Sequence, residues 1–408
     1  MGDLSMRQVM STPFFSVVIP TKGRSFLVGP AVESILAQSF QNWELIVADN
    51  DDSDDTHRVM ARFNDPRIRY VRTGGLSMTD NWERAAQDAR GDYLCMLEDK
   101  QMLKSFALQR VHDEAMRTGA MIIRWQADTF DDEHQPPRIR RSSALGPGGF
   151  RKSEDLLSQF SHSILGYKES LPIPQLSAFH RSLLLRVRST VVGRLFPEVS
   201  PDISMGVMAL AIEDRVLDLK RPLVLYASSY HSNGRASHRK EASSRDFFKR
   251  LSRGEAMCYD HVPIKVLCTP SGVFNDFLRL RGQLGGRLEE CPIDWPHYFI
   301  ECHGAMVGVG LSGVDMTREL VEWQRALEEQ PSDVKNAVAH QLAQRHDRKS
   351  SGLGRALTKV GTQLGFSALQ RHAKHWIRGC IQRDPEWRFS NPSDYLKWEQ
   401  DSQKSNKH

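Results

Sequence analysis

From residue 14 to about 125, short apolar runs alternate with helical patterns, the sign of a mostly parallel sheet flanked by helices. FFSVVI (14–19) reads as a first strand closed by Pro20, and WELIVA (43–48) as a second. Between them a helix is expected from near Pro30, which suits a first helical turn and puts Val32, Ile35 and Leu36 on one face. An acidic loop at 49–55 leads to a helix around 56–63, a strand RIRYV (67–71) and a helix at about 79–90 that ends at Gly91. DYLCML (92–97) is a further buried strand, and a helix near 105–118 leads to AMIIRW (120–125). The next forty residues, rich in Pro, Gly, Ser and charge, predict irregular loops. Periodicity returns as a helix over 202–218 and a strand RPLVLYA (221–227); beyond about 240 helical spacing continues without strand alternation. Two domains are expected in 408 residues, an α/β unit over 1–235 and a mainly helical one over 236–408.

Composition narrows the class without naming it. With 40% hydrophobic and 26% charged residues the chain has enough apolar material to fold, and its net charge of +5 is too mild to single out a partner. Six cysteines lie far apart with no C-x-x-C pair, so neither a zinc site nor a disulfide framework is signalled. The opening segment has no basic region followed by a long apolar run, and no stretch nears the roughly 20 apolar residues of a bilayer crossing. A cytoplasmic chain with reduced thiols and no nucleic-acid partner is expected.

Three polar loops follow three strands of this sheet, and the carboxyl edge of parallel strands is where open α/β sheets bind ligands. The first is Pro20-Thr21-Lys22-Gly23-Arg24, a donor-rich turn that matches neither phosphate-binding glycine motif. The second begins at Asp49-Asn50-Asp51, whose carboxylates can accept from a base or a ribose; at least one residue of 53–55 caps the next helix instead. The third is Glu98-Asp99-Lys100-Gln101, where one carboxylate can bind a ribose and its neighbour a divalent metal on two phosphates.

Here the chain resembles the family 2 glycosyltransferases, with their GT-A nucleotide-sugar-binding, Rossmann-like mixed sheet. The resemblance runs through SVVIPTKGR (16–24), 31–56, NDPRIRYVRT (64–73), NWERAAQDARGDYLCMLEDKQML (81–103) and 201–234. It implies that Pro20, Thr21 and Arg24 line the nucleotide pocket, that Asp49 contacts the base beside Asp51, and that Asn81 faces the donor. Glu98 and Asp99 take the leading positions of the acidic motif that binds ribose and metal. Lys100 and Gln101 stand where relatives often have further aspartates, which weakens metal affinity and places a cation near the diphosphate. The resemblance further implies Mn²⁺ or Mg²⁺ on Asp99, with His231 as a late ligand; a loop histidine that is merely solvated is the other reading. Arg235, His238, Arg239 and Lys240 are expected over the diphosphate.

An inverting transfer needs a base for the acceptor hydroxyl, and Asp202 resembles the family's base position. Its alternative role is a helix cap. Glu213 and Asp214 form a rival acidic pair, but they lie about 16 Å further along the same predicted helix. Residues 348–383 hold eight basic and no acidic side chains, a pattern for peripheral membrane contact at the cytoplasmic face or for a packed helix pair with a basic outer face. The expected activity is transfer of a sugar, from a UDP-sugar in preference to other nucleotides, to a carbohydrate, lipid-linked or other hydroxyl acceptor in polysaccharide or glycoconjugate synthesis. A degenerate sugar-nucleotide-binding protein and a nucleotidyltransferase are the alternatives.

Overall fold

The computed structural model describes residues 12–132, 137–143, 145–162, 166–197, 200–227, 259–266, 268–311, 313–350 and 391–405. His231, the basic residues at 235–240, and the basic segment from 351 to 383 lie outside these residues.

The first strands are β1 (Phe15–Thr21), β2 (Trp43–Asp49), β3 (Ile68–Arg72) and β4 (Tyr93–Met96). All four pair in parallel in the order β3-β2-β1-β4. Every residue of β1, β2 and β4 is buried, as expected of strands covered on both faces, and this is why they read as unbroken apolar runs. Helices α1 (Ser25–Leu36), α2 (Asp55–Met60) and α3 (Met78–Gln87) connect them. Helix α1 begins five residues before Pro30, so the proline sits inside the helix and not in its first turn. Beyond β4 the sheet turns mixed. Strands β5 (Gln101–Leu103), β6 (Ile122–Asp131), β7 (Arg138–Arg140), β8 (Gly149–Lys152), β9 (Ser177–His180) and β10 (Arg215–Tyr226) complete a ten-stranded sheet among the described residues. β9 inserts antiparallel between β4 and β6, and β10 runs parallel to β6 and antiparallel to β5.

Two further expectations need correction. The stretch after residue 125 is not irregular throughout: β6 continues to Asp131, and β7, β8 and the helix α5 (Ser153–His162) follow, after α4 (Ala107–Thr118). Short α6 (Tyr167–Ser170) and α7 (Arg181–Arg188) come next. The helix expected over 202–218 is α8 (Pro201–Ile212) and stops earlier, because Glu213 is extended and Arg215 onward enters β10. There Val216 and Leu217 gain ladder partners in β6 and β8, and tertiary pairing outweighs local helical spacing.

The second half is helical where it is described: α9 (Thr269–Leu284), α10 (Trp295–Gly310), α11 (Thr317–Glu328), α12 (Ser332–Ser350) and α13 (Pro392–Ser405). Their aromatic residues Phe274, Phe277, Tyr298 and Phe299 join one continuous apolar cluster with α8 and the sheet. Helix α13 returns to the sheet. Its Tyr395 is fully buried, and the hydroxyl donates to Asp128 Oδ2 at 2.8 Å. Lys104 Nζ meets the same oxygen at 2.8 Å, and the Ser142 backbone N–H donates to Oδ1 at 2.9 Å.

Gly91, just before β4, is needed for close approach. A Cβ there would sit 2.5 Å from the Ser16 backbone nitrogen and 2.8 Å from the Phe15 carbonyl carbon. Since these are backbone atoms of a buried strand, Gly91→Ala is expected to cost about 2 kcal/mol, read as a lower denaturation midpoint with an unchanged slope.

Candidate active site

The site is assembled at the carboxyl edge of the parallel strands. Thr21 and Asp49 end β1 and β2 and are paired across the ladder, so both side chains leave the sheet at one level. Thr21 Oγ1 donates to Asp99 Oδ2 at 2.9 Å, and Arg24 Nη1 meets Asp99 Oδ1 at 3.0 Å. Two oxygens of one buried carboxylate are thus held by the loop after β1. Burial pushes the Asp99 carboxyl above the usual carboxylate range, and Arg24 and Thr21 draw it part of the way back.

A second cluster surrounds Asp49, which is fully buried. Its Oδ2 accepts from the Tyr70 hydroxyl at 2.5 Å, and its Oδ1 accepts from the Asp51 backbone N–H at 2.9 Å. Burial first, then the Asp49 carboxylate, pushes the Tyr70 phenol far up, so it remains a proton donor. Asp51 accepts from the Gly23 backbone N–H and from Thr56 Oγ1 at 2.8 Å, tying the first two loops together. Gly23 has φ +66°, a conformation that favours glycine. Asn81 sits on α3 and accepts from Thr73 Oγ1 at 2.6 Å. Pro20 lies inside β1, opposite Ala48.

The third cluster joins the acidic loop to α8. Glu98 Oε2 is ion-paired with Lys100 Nζ at 3.0 Å, and the Glu98 backbone N–H donates to Gln101 Oε1 at 2.8 Å. The Lys100 carbonyl accepts from the Ala227 N–H at 2.7 Å, which pins the chain leaving β10 to this loop. Gln175, in the 3-10 turn Pro174–Leu176, directs its Nε2 at Glu98 Oε1 (3.3 Å) and Asp202 Oδ2 (3.4 Å).

Asp202 is half-buried in the first turn of α8. Ser200 occupies the N-cap position without a side-chain cap bond, and the Asp202 carboxylate accepts backbone N–H groups of Asp202 and Ile203 at the helix start. The Ser200 N–H donates to Asp276 Oδ2 on α9 at 2.8 Å, which fixes the start of the helix. Burial, then the neighbouring Glu98 carboxylate, raises the Asp202 carboxyl above the ordinary range. Glu213 and Asp214 lie past the opposite end of α8, paired with Arg186 and Arg287.

Thr21, Arg24 and Asp99 therefore form one bonded cluster and Glu98, Gln175 and Asp202 another, adjoining at neighbouring residues of the acidic loop, while Asp51, bonded to Gly23, ties Asp49 to the first loop. Gln175, Tyr70 and Asp276 were not anticipated. Gln175 stands in Pro-Ile-Pro-Gln-Leu, where no spacing or motif marks it, and only the tertiary fold brings it to two acids far away in the chain.

Glycosyltransferases with this sheet generally take a divalent metal at the diphosphate. In this chain both Asp99 oxygens are engaged by Thr21 and Arg24, and Glu98 is engaged by Lys100. No group of three His, Cys, Asp or Glu side chains among the described residues is placed to hold a metal ion. The described residues alone do not fit a resident metal; they form an acidic loop neutralised by the chain's own cations.

Residues 16–186 match the glycosyl transferase family 2 profile. The chain is 33% identical over 107 residues to a GalNAc(5)-diNAcBac-PP-undecaprenol beta-1,3-glucosyltransferase of Campylobacter jejuni, covering 25% of this chain and 35% of that protein. It is 30% identical over 79 residues to the Escherichia coli UDP-Glc:alpha-D-GlcNAc-diphosphoundecaprenol beta-1,3-glucosyltransferase WfgD, covering 19% and 28%. The matches thus span about a third of these relatives' lengths. A TarS structure from S. aureus aligns over 80% of this chain and 91% of that one, with a TM-score of 0.47 and 11% identity. Among the described residues, no helix is long and apolar enough to cross a membrane.

Proposed function

We propose that this chain is an inverting glycosyltransferase that moves a sugar from a nucleoside-diphosphate donor to an acceptor hydroxyl. The observation that carries the reading is that Thr21 and Arg24 hold Asp99 while Gln175 links its chain neighbour Glu98 to Asp202. It sets donor-binding loops and a carboxylate base on one rim. The nucleoside lies along Asp49, Asp51 and Asn81, with Glu98 on the ribose. Asp202 takes the proton of the acceptor hydroxyl as its oxygen attacks the anomeric carbon. The bond from that carbon to the diphosphate oxygen breaks, and the configuration inverts in this single displacement.

Charge grows on the departing diphosphate, and Arg24 and Lys100, which pair with the acidic loop, can meet it. A UDP-sugar is the favoured donor, in keeping with the UDP-Glc named for the E. coli relative. A lipid diphosphate-linked acceptor follows from the undecaprenol compounds in both relatives' names, and peripheral membrane contact would bring the chain to it. Residues 236–408 then shape the acceptor side.

Turnover of a donor panel, UDP-glucose, UDP-GlcNAc and GDP-mannose, tests the reading, with water or a lipid diphosphate sugar as acceptor. Release of nucleoside diphosphate is expected with at least one donor. Binding without any release would instead mark a sugar-nucleotide-binding protein. Lys100→Met is expected to lower kcat/KM about 30-fold, because a cation near the leaving group is lost. Excess EDTA is expected to lower the wild-type rate less than tenfold. Abolition by EDTA with recovery in Mn²⁺ would instead favour a metal held by Asp99, the diphosphate and His231.

A further inference from the structure

Gln175 is 4% exposed, yet its amide serves no packing need that an apolar residue would not meet. Its Oε1 is buried without a hydrogen-bond partner, while Nε2 faces two carboxylates, Glu98 Oε1 at 3.3 Å and Asp202 Oδ2 at 3.4 Å. A carboxamide nitrogen carries two N–H groups and no charge, so it can serve both acids at once and leave each ionised. Turning the amide over would aim Oε1 at both acids, so the two carboxylates fix its orientation. The backbone is held to the same loop: the Gln175 carbonyl accepts from Gln101 Nε2 at 3.5 Å, and Gln101 Oε1 accepts from the Glu98 N–H. Glu98, Gln101 and Gln175 are therefore linked as one unit.

We infer that Gln175 is the positioning residue of the transfer step, holding Asp202 at a fixed distance from the donor-binding loop so that its remaining lone pairs face the acceptor hydroxyl. This rests on the assignment of Asp202 as the base. Glu98, itself paired with Lys100, is the charged group facing Asp202 across the amide. The amide is the group that bridges the two carboxylates.

The test uses the full chain and the donor turned over fastest in the panel. Gln175→Met keeps the length and removes both N–H groups. It is expected to lower kcat about 30-fold with KM and the UDP Kd within twofold of wild type. The acid limb of its kcat profile should move to higher pH, because an N–H group supporting ionised Asp202 has been lost. Gln175→Glu, matched in size, should lose more and move the limb further, since a third carboxylate is added. Wild-type kcat and an unmoved limb in either folded variant would overturn the proposal. If wild type is active, Asp202→Asn inactive and Gln175→Met intact, only the role of Gln175 falls. A wild type that turns over no donor removes the transferase reading and this inference together.

Discussion

Asp202→Asn is expected to lower donor turnover by about 10³-fold while nucleotide binding stays within twofold of wild type. The amide is nearly isosteric with the carboxylate but cannot accept the acceptor's proton. Asp202 touches Gln175 and the start of α8 and makes no bond to Thr21, Arg24 or Asp99, so the donor loops should keep their arrangement. The acid form is favoured in the folded protein, first by burial and then by Glu98. A base must be ionised, so wild-type kcat should fall as pH drops through this raised value, with an acid limb above the ordinary carboxylate range. The stability sign is opposite. The folded state binds this proton more readily than the unfolded chain, so ionisation at neutral pH costs stability, and removing the charge should not lower the melting temperature. Calorimetry with UDP, stopped turnover assays and a melting curve check the three statements. A variant that retains more than a tenth of wild-type turnover would exclude Asp202 as the base.

Asp128→Ala should give the largest loss of stability. Lys104 and Asp128 are each 2% exposed at their side chains, 2.8 Å apart, and Tyr395 and the Ser142 N–H complete the carboxylate's shell. Removing Asp128 takes a close ion-pair partner from a buried ammonium and an acceptor from two donors, for an expected cost of about 3–5 kcal/mol. Tyr395→Phe removes one donor and keeps the ring, so about 1–1.5 kcal/mol is expected. Urea titration of both variants measures the difference. A loss below 1 kcal/mol for Asp128→Ala would mean that Lys104 finds water or another partner. The aromatic anchor also links a helix near the carboxyl end to β6, a contact 267 residues apart in the chain.

The parallel part of the sheet was legible because its strands are covered on both faces. Buried runs such as Val17–Ile19 and Leu45–Ala48 leave no other reading, and the loops after them announce the ligand edge by position alone. Asp49 and Asp99 were legible by position in those loops, whereas Asp202, in the first turn of α8, was marked only by the family resemblance, which also supplies the roles proposed for all three. Strand β9, at four residues, was too short to show a period, and its place between β4 and β6 depends on pairing partners distant in sequence. Helix α8 was drawn too long because Val216, Leu217 and Leu219 continue an apolar spacing that only the sheet reassigns. Lys100 looked like a defect in an acidic motif; its ion pair with Glu98 shows it as that motif's own counter-charge. Gln175 was invisible, since an uncharged side chain in a proline-flanked turn gains meaning only from what lies across from it.

The bonds around Asp49 stay among β2, β3 and the first loop, and those around Asp202 stay between the acidic loop and α8. Asp99, gripped by Thr21 and Arg24, lies in the chain between them, next to Glu98. A chimera that imports residues 49–81 from a relative with another nucleobase preference should inherit that preference and keep its rate of sugar transfer. Selection can therefore alter which donor is chosen and how fast it reacts as separate traits, provided one aspartate is left alone.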